Sequence, residues 1–446
     1  MVKKKFNLVV TSIIFTLSLS FSINVYASST TNRISGLNRY ATSASVALAG
    51  WQQSDYAVLA NGEDFPDALS AAPLAKKYNA PILLTQKNVL PTETTNTLQQ
   101  LKVKNVFVVG GTGVVSSTVE NQLTSMGIVI TRLAGQDRYE TDIKVAKQLD
   151  NATKIAIVTG EDFPDALSIA PIAVKENMPI ILVAHNAIPD VVKNYISSQS
   201  ISKIYVIGSG SSLDSTITTG LSNVELITGS DKYQRNLAII DKFKSDLDLS
   251  NVYVATGENF ADALSGSILA GKNGNPMLLV GDDAFSSKDY LDKNSINMSN
   301  VNILGGTGAV KDSVINYLTG GINEAEFYYN RAKEYSVNKD FDKAIADYSK
   351  AMELDPNDYV LYYDRGLAYQ EKGSIDNAIS DYSKSIELNP DYIYAYNNRA
   401  NIYYDEKQYD KAIADYKKIL LIDPNMKSDA AANAGATLQE LNVPGY

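Results

Sequence analysis

The nine residues GEDFPDALS occupy Gly62–Ser70 and return unchanged at Gly160–Ser168. A third version, GENFADALS, occupies Gly257–Ser265. Each version follows a short apolar run and precedes a longer apolar stretch, which predicts a turn from a strand into a helix. The clustered acidic residues suit acid catalysis, helix capping or a binding contact, and differences between the versions help to decide among these.

The motif belongs to a longer repeat, because it recurs at offsets of 98 and 97 residues together with three other blocks. In the first copy these blocks are NRYAT at Asn38–Thr42, PILLT at Pro81–Thr85 and VVGGTGVV at Val108–Val115. In every copy, continuous apolar runs alternate with segments of helical character. This predicts three tandem α/β modules, each a small doubly wound parallel sheet covered on both faces.

A second repeat, with a period of 34 residues, fills the C-terminal part of the chain. Its second halves read FDKAIADYSKAMELDP (341–356), IDNAISDYSKSIELNP (375–390) and YDKAIADYKKILLIDP (409–424). Each ends at a proline, which cannot continue a helix. The pattern resembles the tetratricopeptide repeat, which implies an all-α solenoid, and we expect a final helix to cover its last apolar face.

The α/β copies, with all four blocks in this order, resemble the type 2 cell-wall-binding repeat of clostridia and bacilli. The resemblance implies Rossmann-like or Toprim-like modules packed about a pseudo-threefold axis. It also implies non-covalent attachment to an anionic secondary polymer in the wall of a Gram-positive bacterium.

The first 27 residues have the pattern of a secretory signal peptide. Three lysines (Lys3–Lys5) precede the apolar run Leu8–Ile23, and Val25–Ala27 suits cleavage. A retained membrane anchor is the alternative, but the run is short for a bilayer span. The predicted segments are a signal peptide (1–27), three wall-binding repeats (28–131, 132–226, 227–322), three tetratricopeptide repeats (323–358, 359–392, 393–426) and a capping helix (427–446).

Composition excludes several functions. The net charge of −10 argues against binding nucleic acid or an anionic membrane through bulk charge. The chain has no cysteine and one histidine, His185, so a zinc hydrolase site is not expected. GSGSS at Gly208–Ser212 fits a nucleophile elbow only loosely, and His185 is interpreted as a loop residue after a strand. No cofactor, metal or catalytic residue is predicted.

The acidic motif is interpreted mainly as a loop and helix-cap feature, in which Asp64 or Asp67 satisfies free N–H groups of the helix. Asp64 becomes Asn259 in the third copy, an exchange that a cap tolerates and acid–base catalysis does not. Contact with a wall polymer or with another module stays open. The motif residues are Glu63, Asp64, Asp67, Glu161, Asp162, Asp165, Glu258 and Asp262.

Glycine-rich turns and scattered cations are the predicted polymer-binding groups. Backbone N–H groups at such turns can hold a phosphate or carboxylate, and arginine can bind either one bidentately. A tight strand–helix turn, a weak dinucleotide fingerprint, and salt bridges to acidic loops are the alternatives. The candidates are Arg33, Arg39, Arg132, Arg138, Lys232, Gly111, Thr112, Gly113, Gly306, Thr307 and Gly308. The third copy departs most, through Lys232, Ala261 and Leu226, which makes its pocket doubtful.

The helical repeats predict a groove that binds a protein or extended peptide. Its candidate residues are Tyr329, Tyr363, Gln370, Asn397, Asn401 and Tyr404. Arg331, Arg365 and Arg399 share one repeat position, and we expect them to pair with acids such as Asp364.

Together these patterns predict an exported, non-catalytic surface protein, held on the wall by the α/β repeats and presenting the helical groove to a partner. The alternatives are a structural surface-layer component and a wall-associated accessory of a peptidoglycan hydrolase.

Overall fold

The computed structural model describes residues 29–149 and 152–445. These residues form three four-stranded parallel sheets with helices between the strands, followed by helices alone. The predicted α/β modules and the all-α segment are therefore confirmed. No helix in the described ranges is both long and apolar enough to cross a membrane. The predicted signal peptide lies outside the described residues.

The sheets of the described chain contain twelve strands. They are β1 (Thr30–Ile34), β2 (Tyr56–Asn61), β3 (Ile82–Thr85), β4 (Asn105–Val109), β5 (Val129–Leu133), β6 (Lys154–Thr159), β7 (Ile180–Val183), β8 (Lys203–Ile207), β9 (Val224–Ile227), β10 (Asn251–Thr256), β11 (Met277–Val280) and β12 (Asn300–Leu304).

Eleven α-helices accompany these strands in the same part of the described chain. They are α1 (Arg39–Gly50), α2 (Ala71–Lys77), α3 (Thr92–Gln100), α4 (Ser117–Ser125), α5 (Arg138–Ala146), α6 (Pro164–Glu176), α7 (Asp190–Ser198), α8 (Lys232–Phe243), α9 (Ala261–Lys272), α10 (Phe285–Lys293) and α11 (Asp312–Leu318).

The three sheets share one topology. Module 1 has the strand order β3-β2-β4-β5, module 2 has β7-β6-β8-β9, and module 3 has β11-β10-β12-β1. Strand β1 runs parallel to β12, with Thr30 opposite Asn300 and Ile34 opposite Leu304. The first strand of the described chain therefore completes the last sheet and closes the three modules into a ring.

The structural modules are out of phase with the predicted sequence repeats. The boundaries after residues 131 and 226 fall inside β5 and β9, and residues 30–34 belong to module 3. A sequence repeat can be divided at any phase, so the period alone did not show that each sheet takes its last strand from the start of the next copy.

The quoted motif lies at the centre of the ring. Its phenylalanines, Phe65, Phe163 and Phe260, form a cluster whose ring centroids are 5.5, 5.8 and 6.2 Å apart. The helices that follow them, α2, α6 and α9, are almost entirely buried. Because each helix is apolar all round, it packs against its own sheet and against its two counterparts.

Paired helices form the C-terminal solenoid. They are α12 (Glu324–Val337), α13 (Phe341–Leu354), α14 (Tyr359–Lys372), α15 (Ile375–Leu388), α16 (Ile393–Asp405), α17 (Tyr409–Ile422) and α18 (Asp429–Glu440). Helices pack closely where residues are small: a Cβ added at Gly366 would lie 2.8 Å from the ring of Tyr382. Helix α18 covers the end of the array, with Ala431 and Leu438 fully buried.

Candidate functional site

Each module meets the next through an aspartate of the quoted motif. The Arg235 Nε donates to Asp165 Oδ1 at 2.7 Å, and both side chains are buried. Thr141 lowers the pKa of Asp67, and Thr42 lowers that of Asp262, so these two aspartates also face the neighbouring module. These contacts join module 1 to module 2, module 2 to module 3, and module 3 back to module 1.

Burial is the main influence on these carboxyl groups. It raises the pKa of Asp67 and of Asp262, and the neighbouring threonines only partly offset this. Burial likewise raises the pKa of Asp165, against the opposing effect of Arg235. The three carboxyl groups therefore lie in the buried contacts between modules.

Asp67, Asp165 and Asp262 lie in the first turns of their helices but not at the N-caps, which are Phe65, Phe163 and Phe260. Asp165 pairs with Arg235 of the next module instead. A local role remains for the other position of the motif: Asp162 accepts from the Phe163 N–H at 2.9 Å. Asn259 Oδ1 accepts from the N–H of Ala261 at 3.1 Å.

The last residue of each preceding strand shapes the loop. Asn61 Oδ1 accepts from the N–H of Glu63 at 2.6 Å and of Asp64 at 3.1 Å. Thr159 and Thr256 Oγ1 each accept at 3.1 Å from the N–H of the motif glutamate. Sequence reasoning did not single these residues out, although Asn61 beside a glycine carried a turn signal.

The motif glutamates make contacts within their own modules. The Tyr40 hydroxyl donates to Glu63 Oε1 at 3.2 Å, and the Tyr233 hydroxyl to Glu258 Oε1 at 2.5 Å. Glu161 instead accepts from the backbone N–H of His185 at 3.1 Å.

The first predicted cations bind the same loops. Arg39 donates to the carbonyl of Gly62, and Arg138 donates to the carbonyl of Gly160 at 2.5 Å. Lys232 pairs with a motif glutamate at 3.0 Å. These side chains therefore hold the motif loops, and Arg39 also lines a cleft between modules 3 and 1.

The other predicted arginines brace turns. Arg33 donates to the carbonyls of Gly305 and Val310 at 2.8 and 2.9 Å and pairs with Asp312 at 2.7 Å. Arg132 does the same in module 1, with Gly110 and Glu120 among its partners.

The guanidinium groups of Arg33 and Arg132 are thus engaged by their own turns. The structure gives them a bracing role, and the polymer contact predicted for them stays a prediction. The equivalent residue in module 2 is the exposed Leu226 on β9. The module that lacks this arginine is module 2, and not module 3 as the copies in the sequence indicated.

The tops of the glycine-rich turns are open. A Cβ added at Gly111, Gly113, Gly306 or Gly308 would meet nothing within 4 Å. Packing therefore does not require glycine there, and the turn backbone stays accessible to a ligand. Gly110 differs, because its φ of +103° disfavours other residues and a Cβ would lie 2.8 Å from the carboxylate of the motif aspartate.

The cleft between modules 3 and 1 encloses about 510 Å³. Its walls include Arg39, the turn glycines 306 and 308, and three acidic residues, Glu258, Asp262 and Asp282. Two of these acids pair with lysines: Glu258 with Lys232 at 3.0 Å, and Asp282 with a lysine 3.4 Å away. Burial raises the pKa of the third, Asp262.

The cleft between modules 2 and 3 is built differently. Arg235 takes the place of the threonines at the equivalent positions, and its buried ion pair with Asp165 occupies the inter-module contact. The adjacent turn reads GSGS, where Ser212 Oγ accepts from the Ser209 N–H at 3.1 Å. Nearby, the His185 ring lies 3.2 Å from the carbonyl oxygen of Ser212, and not against its hydroxyl.

Within residues 29–149 and 152–445, no group of three metal-ligating side chains is found.

The helical groove differs in part from its prediction. The Tyr329 hydroxyl donates to Asp364 at 3.0 Å, and Asn398 donates to the Tyr363 hydroxyl at 3.2 Å, so a polar ladder links successive repeats. Asn397 lies beside it, and its Oδ1 is buried with no partner among the described residues. Sequence reasoning missed Asp364 and Asn398 as groove residues, although they directly follow two candidates.

Three other predicted groove residues make hydrogen bonds to other parts of the solenoid. Gln370 accepts from the Tyr382 hydroxyl, and Asn401 from the Tyr416 hydroxyl, both at 2.7 Å. Tyr404 donates to Glu440 of the final helix at 3.0 Å.

The repeated arginines have other partners than predicted. In each repeat the arginine makes a bidentate ion pair with an aspartate of the second helix, and not with Asp364. The pairs are Arg331–Asp347, Arg365–Asp381 and Arg399–Asp415.

A ring of three modules with polar clefts, joined to a helical repeat with an open groove, defines a scaffold for binding. Sequence comparison agrees. The model of the cell wall binding domain 2 family matches residues 33–120, 132–218 and 227–315, and the tetratricopeptide repeat model matches 325–358, 359–392 and 393–426. The chain belongs to the cell wall binding domain 2 family and carries tetratricopeptide repeats.

Known relatives match about two thirds or more of the chain. The N-acetylmuramoyl-L-alanine amidase LytC of Bacillus subtilis is 35% identical over 292 residues, which cover 66% of this chain and 58% of LytC. The amidase enhancer of the same organism is 31% identical over 337 residues, 74% of this chain and 46% of the enhancer. The chain thus spans about half the length of these relatives.

Solved structures show the same fold. Cwp6 from Clostridium difficile superposes with a TM-score of 0.61 at 30% identity, covering 69% of this chain and 50% of Cwp6. Cwp8 from the same organism gives a TM-score of 0.60 at 24% identity, covering 66% and 52%. The family and these relatives place the chain among wall-associated proteins.

Proposed function

We propose that this chain is an exported, non-catalytic wall protein, anchored by polar clefts between its α/β modules. Its partner there is an anionic secondary polymer of a Gram-positive wall. The open cleft between modules 3 and 1 carries the proposal. Arg39 and an uncovered turn backbone border it, and two of its three acids pair with lysines. Backbone N–H groups and arginine suit phosphate or carboxylate groups of such a polymer.

The absence of catalysis is part of the proposal. Both repeat families that match the chain are binding families, and they account for most of residues 33–426. The amidase named among the relatives is less than two thirds covered by this chain, so its activity is not transferred.

Binding to purified walls tests the anchor. We expect the full chain to bind intact walls and to lose binding after hydrofluoric acid removes phosphate-linked polymers. Arg39→Lys keeps the charge but loses the planar fork, so we expect at least about a tenfold weaker binding. Lys193→Ala, in an exposed pair on α7, is the matched control and should bind normally.

Equal binding to intact and stripped walls would contradict the anchor as stated. Thermal unfolding of the Arg39→Lys protein separates lost binding from lost structure.

The helical groove would hold a second partner. Both named relatives are linked by name to an amidase, so a wall amidase is the partner class to test first. Tyr329→Phe removes one hydroxyl from the polar ladder, and it should reduce amidase capture by the purified full chain without changing wall binding. Equal capture by both proteins would count against the groove.

A further inference from the structure

A second polar cavity lies at the other end of module 3, at the starts of its strands. It encloses about 540 Å³, within the range of about 300–1,000 Å³ common for ligand sites. Six asparagines line it, and we name it the amide pocket. They are Asn32, Asn251, Asn273, Asn275, Asn300 and Asn302. The clefts between modules lie at the opposite ends of the strands.

Module 1 fills the same place with aromatic rings. Tyr56 and Asn251 are the first residues of the central strands β2 and β10, so these two positions correspond. Phe107 lies opposite the residue two places after Tyr56, and Asn302 lies opposite the residue two places after Asn251, so Phe107 and Asn302 also correspond. Tyr78 lies three residues before Pro81, which precedes β3. Asn273 lies three residues before Pro276, which precedes β11, so Tyr78 and Asn273 correspond.

The three rings of module 1 lie 4.6 to 5.8 Å apart and close the space. Module 2 has a third set of residues at these positions: Lys154 pairs with Glu176 at 2.6 Å, and Tyr205 lies beside them. The shared fold therefore does not need amides here. Module 3 replaces three large groups by asparagines and leaves an open volume.

The amides of the pocket are aligned by bonds among themselves. Asn32 Nδ2 donates to Asn302 Oδ1 at 3.3 Å, and Asn300 Nδ2 donates to Asn251 Oδ1 at 2.7 Å. Asn273 Nδ2 donates to the hydroxyl of Tyr253 at 3.1 Å, at the base of the pocket. Each amide has two donor hydrogens and an acceptor oxygen, so these bonds orient the groups and leave capacity for a ligand.

The pocket has little charge. Its lining residues include no lysine, arginine or histidine, and the one carboxylate, Asp248, already accepts from Ser250 and Asn251. These bonds, led by that from the serine side chain, lower the pKa of Asp248. An anion would find no cation here, whereas a neutral ligand rich in hydroxyl groups would find both donors and acceptors.

We propose that the amide pocket binds an uncharged saccharide, with one or two sugar units held by the asparagines. It is a second site, separate in place and in chemistry from the clefts proposed to hold an anionic polymer. It does not depend on the anchor proposed above.

Saturation-transfer NMR on the purified full chain tests this site, with N-acetylglucosamine and glucose as probes and glucuronate as the charged comparison. We expect transfer to a neutral sugar and at least tenfold less to glucuronate. Asn251→Tyr, Asn273→Tyr and Asn302→Phe together install the aromatic set of module 1. This triple variant should abolish the transfer while wall binding stays unchanged.

Single changes keep the test informative if the triple variant fails to fold. Asn300→Ala should weaken transfer severalfold, whereas Asn105→Ala, at the equivalent position of module 1, should not. The proposal is overturned by no transfer to either neutral sugar at millimolar concentration, by transfer that persists in a folded triple variant, or by transfer to triglycine in preference to the sugars.

Discussion

Ser43, Asp142 and Asn236 occupy one repeat position, and each accepts a hydrogen bond from a backbone N–H of the following PILL-type strand. The donors are Leu84, Leu182 and Leu279, at 3.2, 2.9 and 3.0 Å. Only the middle residue can ionise, and burial raises its pKa to about 7. A repeated geometry therefore carries different chemistry in each module.

We expect Asp142→Asn to stabilise the protein near pH 8, by roughly 2–4 kcal/mol. The carboxyl of Asp142 has a higher pKa in the folded than in the unfolded chain, so wild-type stability falls as pH rises from about 4 to 7. The asparagine has no such charge, and Asn236 already makes the same bond. Urea unfolding at pH 5 and pH 8 measures this, and a pH-independent difference would contradict it.

A second prediction concerns the buried ion pair between modules 2 and 3. Asp165→Ala leaves Arg235 buried and unpaired, which should destabilise the protein by about 3–5 kcal/mol. Asp190→Ala removes an exposed pair and should cost less than about 1 kcal/mol. Thermal unfolding of both variants compares them, and similar losses would show that the buried pair does not hold the ring.

At the scale of elements, β1 decides how the ring closes. It covers the edge of β12, buries Ile34, and carries the arginine that braces the glycine-rich turn of module 3. Its sequence, TTNRI, is polar and short, and nothing in it identifies a partner strand.

Removing residues 29–34 should expose the edge of β12 and weaken module 3. We expect a loss of at least about 3 kcal/mol, from the ladder and from the charged hydrogen bonds of Arg33. An unpaired edge also promotes association, so light scattering after gel filtration should show oligomers. A monomer with unchanged melting temperature would refute the role of β1.

At the scale of the molecule, module 3 serves as the first unit of the helical array. Arg365 and Arg399 each reach a serine of the preceding repeat, at 2.9 and 2.8 Å. Arg331 has no preceding repeat, and it reaches the carbonyl of Asp282 in module 3 at 3.4 Å. Phe327 is fully buried against Tyr317 of module 3, with ring centroids 4.8 Å apart.

This junction predicts that the groove is held in a fixed orientation relative to the clefts. Phe327→Ala should cost about 3–5 kcal/mol of docking energy and release the solenoid. Small-angle scattering should then report a larger and more variable particle, and protease should cut between residues 318 and 324. Tyr409→Ala, at an exposed site, is the control. Unchanged scattering would mean that other contacts hold the solenoid.

Much of this architecture follows from local sequence. The two periods, the apolar runs and the punctuating prolines and glycines each act over a few residues, so they fixed the number and class of the modules. They also located the quoted motif at a strand–helix turn. The motif's nine residues could not reveal their own partners, because Phe65, Asp67 and their counterparts act across modules.

Only the tertiary structure shows the contacts between residues that are distant in the sequence. Arg33 belongs to module 3, Asp165 meets Arg235, and three asparagines replace an aromatic cluster around an open pocket. Each depends on the position of one sheet or helix relative to another. The sequence alone determined the repeated units, because periodicity and turn residues act over a few neighbouring residues. The closing of the ring and the positions of its different polar sites depend on contacts between residues far apart in the chain, which only the tertiary structure shows.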